Sequence, residues 1–162
     1  MIFVSPMVSC DNGDSAHLNV ISSLDAHVHA LDARTGAVRW KTLLAGGVRH
    51  AAMMEEDRLI AAGDDGGNVS LLDAGGKRLW RCDLGDPVTG LVAADVNSDG
   101  RPELVATATS SLTTILALDG RVLGTHETAS PVTRLGVARR PGLRPYLIAG
   151  CESGAVEALA WR

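Results

Sequence analysis

The chain is predicted to be all-β, built from about four similar units of four short antiparallel strands, with the last unit incomplete. Three observations predict this. One segment recurs as Val28-His29-Ala30-Leu31-Asp32-Ala33, Val69-Ser70-Leu71-Leu72-Asp73-Ala74 and Thr114-Ile115-Leu116-Ala117-Leu118-Asp119, with a weaker copy at Val156-Glu157-Ala158-Leu159-Ala160. Leu31, Leu72, Leu118 and Leu159 stand 41, 46 and 41 residues apart, the spacing of a repeated supersecondary unit. A second set of landmarks, Val4, Val48, Val88 and Val132, runs in phase at spacings of 44, 40 and 44. The composition, 46% apolar with 18 Gly and only 3% aromatic residues, calls for small side chains between closely approaching backbones, which stacked sheets supply.

Each landmark valine opens the first strand of a unit, and Asp86-Pro87-Val88-Thr89-Gly90-Leu91 is nearly copied by Ser130-Pro131-Val132-Thr133-Arg134-Leu135. The second strands are the β-rich runs 17–23, 58–63, 103–109 and 146–150, rich in Val, Ile, Leu and Ala and bounded by turn residues. The repeated Leu-Asp segment is the third strand. Its Asp serves the following turn, where the carboxylate accepts backbone N–H groups and a Gly supplies the positive φ. Recurrence of Asp32, Asp73 and Asp119 at this place marks them as architecture rather than catalysis. The fourth strands, 37–40 and 77–80, end in Trp40 and Trp80, side chains able to pack between adjacent sheets. The third unit has Gly124 near that place, and the fourth stops at Ala160-Trp161-Arg162 before its own fourth strand. Fifteen strands are expected, in a single region 1–162 with approximate units 1–46, 47–86, 87–130 and 131–162. No capped helical pattern of useful length interrupts them.

Such units resemble β-propeller blades. The run Val-x-Ala-Leu-Asp-Ala-x-Thr-Gly-x-x-x-Trp from Val28 to Trp40 resembles the pyrroloquinoline-quinone-type (quinoprotein-type) repeat. The resemblance covers nearly the whole chain and speaks for fold more than activity, since this repeat occurs in dehydrogenases, in outer-membrane assembly lipoproteins and in binding propellers. Propellers close into rings, and blades of this type usually come in sixes to eights. The chain is therefore expected to be a piece of a longer propeller, half of a paired ring, or a small ring. An open blade edge would invite self-association.

The third unit carries the one motif with chemistry in it, Asp95-Val96-Asn97-Ser98-Asp99-Gly100-Arg101-Pro102-Glu103-Leu104. Oxygen-bearing side chains at alternate positions followed by Gly suit Ca2+ in a tight loop, with Asp95, Asn97, Asp99, the Arg101 carbonyl and Glu103 as ligands. The motif is similar to the calcium loop of FG-GAP propeller blades, which sits at this same hairpin. It departs from an EF-hand, because no helix flanks it and Ala106 stands where the bidentate Glu would be. The other reading is an Asx-type turn whose side chains serve only backbone groups. In the first unit, Asp11 to Leu18 is two residues too short for the same register. Glu55-Glu56-Asp57 offers only a tight turn, and the cationic run Arg139 to Arg144 would repel an ion. One ion per chain is expected.

His27 and His29 share one strand face but show no third ligand along the sequence, and are read as bonding to backbone or water. Asp64-Asp65-Gly66-Gly67-Asn68 is read as a hairpin turn, because two acids oppose an anion. No nucleophile elbow or phosphate loop stands out. A formal charge of −4 without a basic run argues against nucleic acid. No apolar stretch is long enough to span a membrane, and the opening residues lack signal-peptide character. Cys10, Cys82 and Cys151 lack metal-type spacing and are read as free thiols, with one unassigned pair as the alternative in an oxidising compartment.

The expected function is a non-enzymatic scaffold segment that binds a protein or a glycan, with one structural Ca2+. The alternatives are a fragment of a quinone-dependent dehydrogenase or an accessory propeller of a carbohydrate-active enzyme. No pyrroloquinoline quinone is expected, since the adjacent cysteines that clamp it in the methanol-type enzymes are missing. The resemblance implies an extracellular or periplasmic setting.

Overall fold

The structure, a computed structural model, describes residues 8–11, 17–54, 58–138 and 145–160. Val4, most of the short acidic run after Asp11, Glu55 to Asp57 and the Arg139 to Arg144 run lie outside the described residues. Fifteen strands and no helix are described. β1 (Val8–Asp11), β2 (His17–Ser22), β3 (His27–Asp32) and β4 (Val38–Leu43) form the first antiparallel sheet in sequence order. β5 (Val48–Met54), β6 (Leu59–Asp64), β7 (Asn68–Asp73) and β8 (Arg78–Asp83) form the second. The third comprises β9 (Val88–Ala94), β10 (Glu103–Ala108), β11 (Leu112–Leu116) and β12 (Val122–Glu127), and the fourth β13 (Val132–Ala138), β14 (Tyr146–Cys151) and β15 (Val156–Leu159). This is a propeller-like, all-β architecture of blade-type meanders. The strands group into two compact units, Met1–Val88 and Thr89–Arg162.

The repeat is visible in the backbone irregularities as well as in the strands. The third and fourth strands slip register between Ala30 and Leu31, between Leu71 and Leu72, and between Ile115 and Leu116. The first and second strands slip just after Val48 and just after Val132. Every turn from second to third strand contains one left-handed residue, Ala26, Gly67, Ser111 or Gly154. Register slips of this kind strengthen local twist.

In the compact unit Met1–Val88, Leu18, Val20, Val28 and Ala30 of one sheet form a core with Val48, Ile60, Ala62 and Leu72 of the next. Trp40 packs against it, as its position predicts. Its indole Nε1 donates to the Ala74 carbonyl at 3.0 Å, and Thr42 Oγ1 donates to the Gly76 carbonyl at 2.6 Å. In the compact unit Thr89–Arg162, Ala94, Val96, Val105 and Ile115 pack with Leu147. β10 is buried along its whole length, whereas β4, β8 and β12 are mostly exposed, as suits inner and outer strands of a blade. Cys82 and Cys151 are free thiols, and burial pushes the Cys82 thiol pKa up.

Candidate functional site: turns, the 95–103 loop and a histidine pair

The repeated Asp residues are held in the turns. Asp32 Oδ1 accepts from the Arg34 and Thr35 amides at 3.1 and 2.8 Å and from the Thr35 hydroxyl at 2.8 Å, while Oδ2 accepts from Arg39 Nη2 at 2.9 Å. These bonds, the Thr35 hydroxyl foremost, hold its carboxyl well below the ordinary carboxylate range. Asp73 Oδ1 accepts from the Gly75 and Lys77 amides, both at 2.9 Å, and Asp119 Oδ1 from the Arg121 amide at 3.1 Å. Gly36, Gly76 and Gly120 supply φ of 70°, 82° and 88°. The Asp64 turn closes likewise, its Oδ1 accepting from the Asn68 amide at 2.9 Å.

The 95–103 loop joins β9 to β10. Asp95 accepts from the Asp99 and Gly100 amides at 3.1 and 3.0 Å, and Asp99 Oδ1 from the Arg101 amide at 2.8 Å. The backbone is left-handed at Ser98 and Gly100, with φ of 66° and 89°. Glu103, the first residue of β10, is 4% exposed, and its Oε2 accepts from the Val96 amide at 2.9 Å. The Asn97 amide nitrogen lies between Asp99 Oδ2 at 3.0 Å and Glu103 Oε1 at 2.9 Å. Burial raises the Glu103 pKa, against the Val96 amide bond, and the charges of Asp99 and Asp95 push the same way. The loop borders a recess of about 480 Å³ that also touches Asp119 and Arg121, which leaves the cluster accessible from solvent.

Asp95, Asn97, Asp99 and Glu103 are thus one hydrogen-bonded cluster, with Arg101 exposed at its rim. An oxygen-only donor set with three carboxylates, one of them buried, is the chemistry a hard cation requires. Their meeting point in this structure is the Asn97 amide group. The three carboxylates do not draw together as closely as Asp25, His27 and His29 do.

Those three are the group among the described residues whose His, Cys, Asp or Glu donor atoms all lie within 4.8 Å of one another. Asp25 was invisible as a partner because it stands in the turn, not on the strand. The turn bends its carboxylate back, Oδ1 accepting from the His27 amide at 3.1 Å. Its oxygens stand 3.5 Å from His27 Nδ1 and 3.4 Å from His29 Nε2. Hydrogen bonds, from the Ser23 side chain first and also from His27 and His29, lower the Asp25 pKa to about 2. Aligning the four turns would have exposed the group, since the matching places hold Gly66, Asn68 and Ser70, then Ser110, Leu112 and Thr114, then Ser153, Ala155 and Glu157.

Fold and turns together define a repeat protein made of propeller blades. The family model described as outer membrane protein assembly factor BamB matches residues 14–160, and the chain belongs to that family of pyrroloquinoline-quinone-type repeats. No curated protein matches the chain. Among solved structures, BBS1N in complex with ARL6DN is similar at 15% identity and a TM-score of 0.80, over 99% of this chain and 52% of that one. The chain thus spans about half its length. The computationally designed Ika4 protein is similar at 16% identity and a TM-score of 0.77, over 98% of this chain and 92% of that one. Sqt1 of Saccharomyces cerevisiae is similar at 13% identity and a TM-score of 0.76, over 90% and 42%. At these identities the likeness shows the fold.

Proposed function

We propose that this chain is a non-enzymatic blade segment that binds a protein through its loops and outer strands, stiffened by Ca2+ in the 95–103 loop. The observation that carries it is the use of the repeat's own acids: Asp32, Asp73 and Asp119 are engaged by their turns. What differs between units is then the loop surface, the part of a repeat protein that serves recognition. The family's description as an outer membrane protein assembly factor favours a protein over a glycan, and a periplasmic or outer-membrane-associated setting. The test is biolayer interferometry of the immobilised chain against peptides from outer-membrane β-strands and, in parallel, a glycan array. Saturable peptide binding is expected. Glycan binding alone would overturn the choice of partner, and a bound chromophore on titration with pyrroloquinoline quinone and Ca2+ would overturn the non-enzymatic reading.

In the calcium site Asp95, Asn97, Asp99, the Arg101 carbonyl and Glu103 would be the ligands, the ion offsetting the burial, and after it the Asp99 and Asp95 charges, that disfavour an ionised Glu103. At an affinity on the order of 10⁻⁴–10⁻³ M, roughly 10 mM Ca2+ stabilises by about 1.4–2.7 kcal/mol. That is a rise of about 3–10 °C in Tm for a chain of this size. Asp99→Ala should abolish the increment. Identical melting of the wild type in Ca2+ and in EDTA would remove the ion from the loop.

A further inference from the structure

We propose that Asp25, His27 and His29 form a second metal site, for a borderline divalent transition cation of the Zn2+ type. Residues 27 and 29 of β3 point to the same side, while Val28 and Ala30 between and beyond them are buried in the core. The two imidazoles lie with ring centroids 5.6 Å apart and are tilted at 45°, so they do not stack. The turn before them places Ala26 at φ 66°, a conformation that L residues resist, and this is what returns the Asp25 carboxylate over the histidines.

The separations suit one small ion. Ligands about 2.0–2.1 Å from a tetrahedral Zn2+ stand about 3.3–3.4 Å from each other. The Asp25 oxygens are 3.5 and 3.4 Å from His27 Nδ1 and His29 Nε2, and the third separation also falls within 4.8 Å. Two imidazoles and one carboxylate are a donor set for Zn2+, Ni2+ or Cu2+ and not for Ca2+, which takes oxygen. The site is therefore chemically distinct from the 95–103 loop. The side chains of His27 and His29 are 23% and 26% exposed and that of Asp25 is 55% exposed, which leaves room for water as a fourth ligand. His27 Nδ1 also lies 2.9 Å from the Asp25 carbonyl oxygen. Ligation through Nδ1 gives up that contact and leaves the proton of neutral His27 on Nε2. Lys41 on β4 is paired with His29 in the strand register, so its exposed side chain leaves the sheet on the same face as the imidazole.

Architecture does not explain the trio. The other three units build the same turn and third strand without either histidine, with Gly67, Ser111 or Gly154 in the left-handed place. Asp25 and His27 bond to each other within this turn, but the matching turns close with other residues at all three places.

The experiment is Zn2+ titration of the full chain against a chromophoric chelator, with imidazole ¹⁵N NMR and Co2+ absorption as second readouts. One equivalent should bind, and the His27 and His29 ring signals should move together. His29→Gln and Asp25→Asn should each weaken binding by more than about 100-fold, since loss of even an outer partner costs about 10–100-fold. Lys41→Gln replaces none of the proposed ligands and should tighten binding by about two- to fivefold, the worth of one exposed charge pair. It tests the site even if a ligand variant does not fold. No saturable binding by the wild type would overturn the proposal. So would binding that Asp25→Asn and His29→Gln leave unchanged, or a titration in which the His27 and His29 signals stay still.

Discussion

Gly76 is where the repeat's backbone and its inter-sheet packing meet, and replacing it by Ala separates the two. Gly76 closes the turn after β7 at φ +82°, and a Cβ there would stand 2.6 Å from Trp40 Cδ2 and Cε3 and 3.0 Å from Thr42 Oγ1. Gly36 closes the turn after β3 at φ +70° with nothing within 4 Å of the same virtual atom. Ala at either place costs about 1–2 kcal/mol for left-handed backbone. At Gly76 overpacking against the indole adds about 1–3 kcal/mol, because Trp40 is tethered to the Ala74 carbonyl and cannot move freely. Gly76→Ala should therefore cost about 2–5 kcal/mol and Gly36→Ala about 1–2, on a total that for domains is about 5–15 kcal/mol. Urea unfolding followed by tryptophan fluorescence reads both. In a Trp40→Ala background the Gly76→Ala increment should shrink to the Gly36 value. Equal costs for the two glycines in the wild type would refute the claim that Trp40 packs on this turn.

Two further outcomes are expected. Asp32 has its carboxyl pKa lowered by the Thr35 and Arg39 bonds, so its contribution is present above the ordinary value of 3.8 and is lost as pH falls through its lower folded value. Asp32→Asn should flatten that acid limb in pH-dependent urea midpoints; an unchanged acid limb would refute it. Ala26→Gly should stabilise by up to about 1 kcal/mol in the absence of metal, since the strain of a left-handed Ala is relieved against the extra freedom of Gly in the unfolded chain. A loss of stability in the thermal melt would show that Ala26 is not strained.

Much of the fold was legible along the chain. The second strands expected at 17–23 and 103–109 are observed at His17–Ser22 and Glu103–Ala108, each ending one residue earlier. The turn role of Asp32 and Asp73, and the inter-sheet place of Trp40, followed from where they recur. The fourth strands extend further than the Trp expected to end them, β4 reaching Leu43 and β8 Asp83, because pairing with β3 and β7 continues past the indole.

The candidate sites were legible only where their ligands are close in sequence and alternate. Asp95, Asn97, Asp99 and Glu103 announce themselves because one loop holds all of them. That Glu103 is buried, that this burial and then the Asp99 and Asp95 charges raise its pKa, and that Asn97 bridges two carboxylates depends on how β10 enters the core.

The repeat, the strand order within each sheet, the turn acids and the family can all be read from the linear chain, because these are local patterns written at short range. Which side chains meet is settled only by folding. Asp25 reaches His27 and His29 because a left-handed residue in a turn reverses the chain direction, and the seat of Trp40 is a glycine 36 residues away. Periodicity reports the path of the backbone, while contacts across a turn or between sheets exist only once that path has been folded.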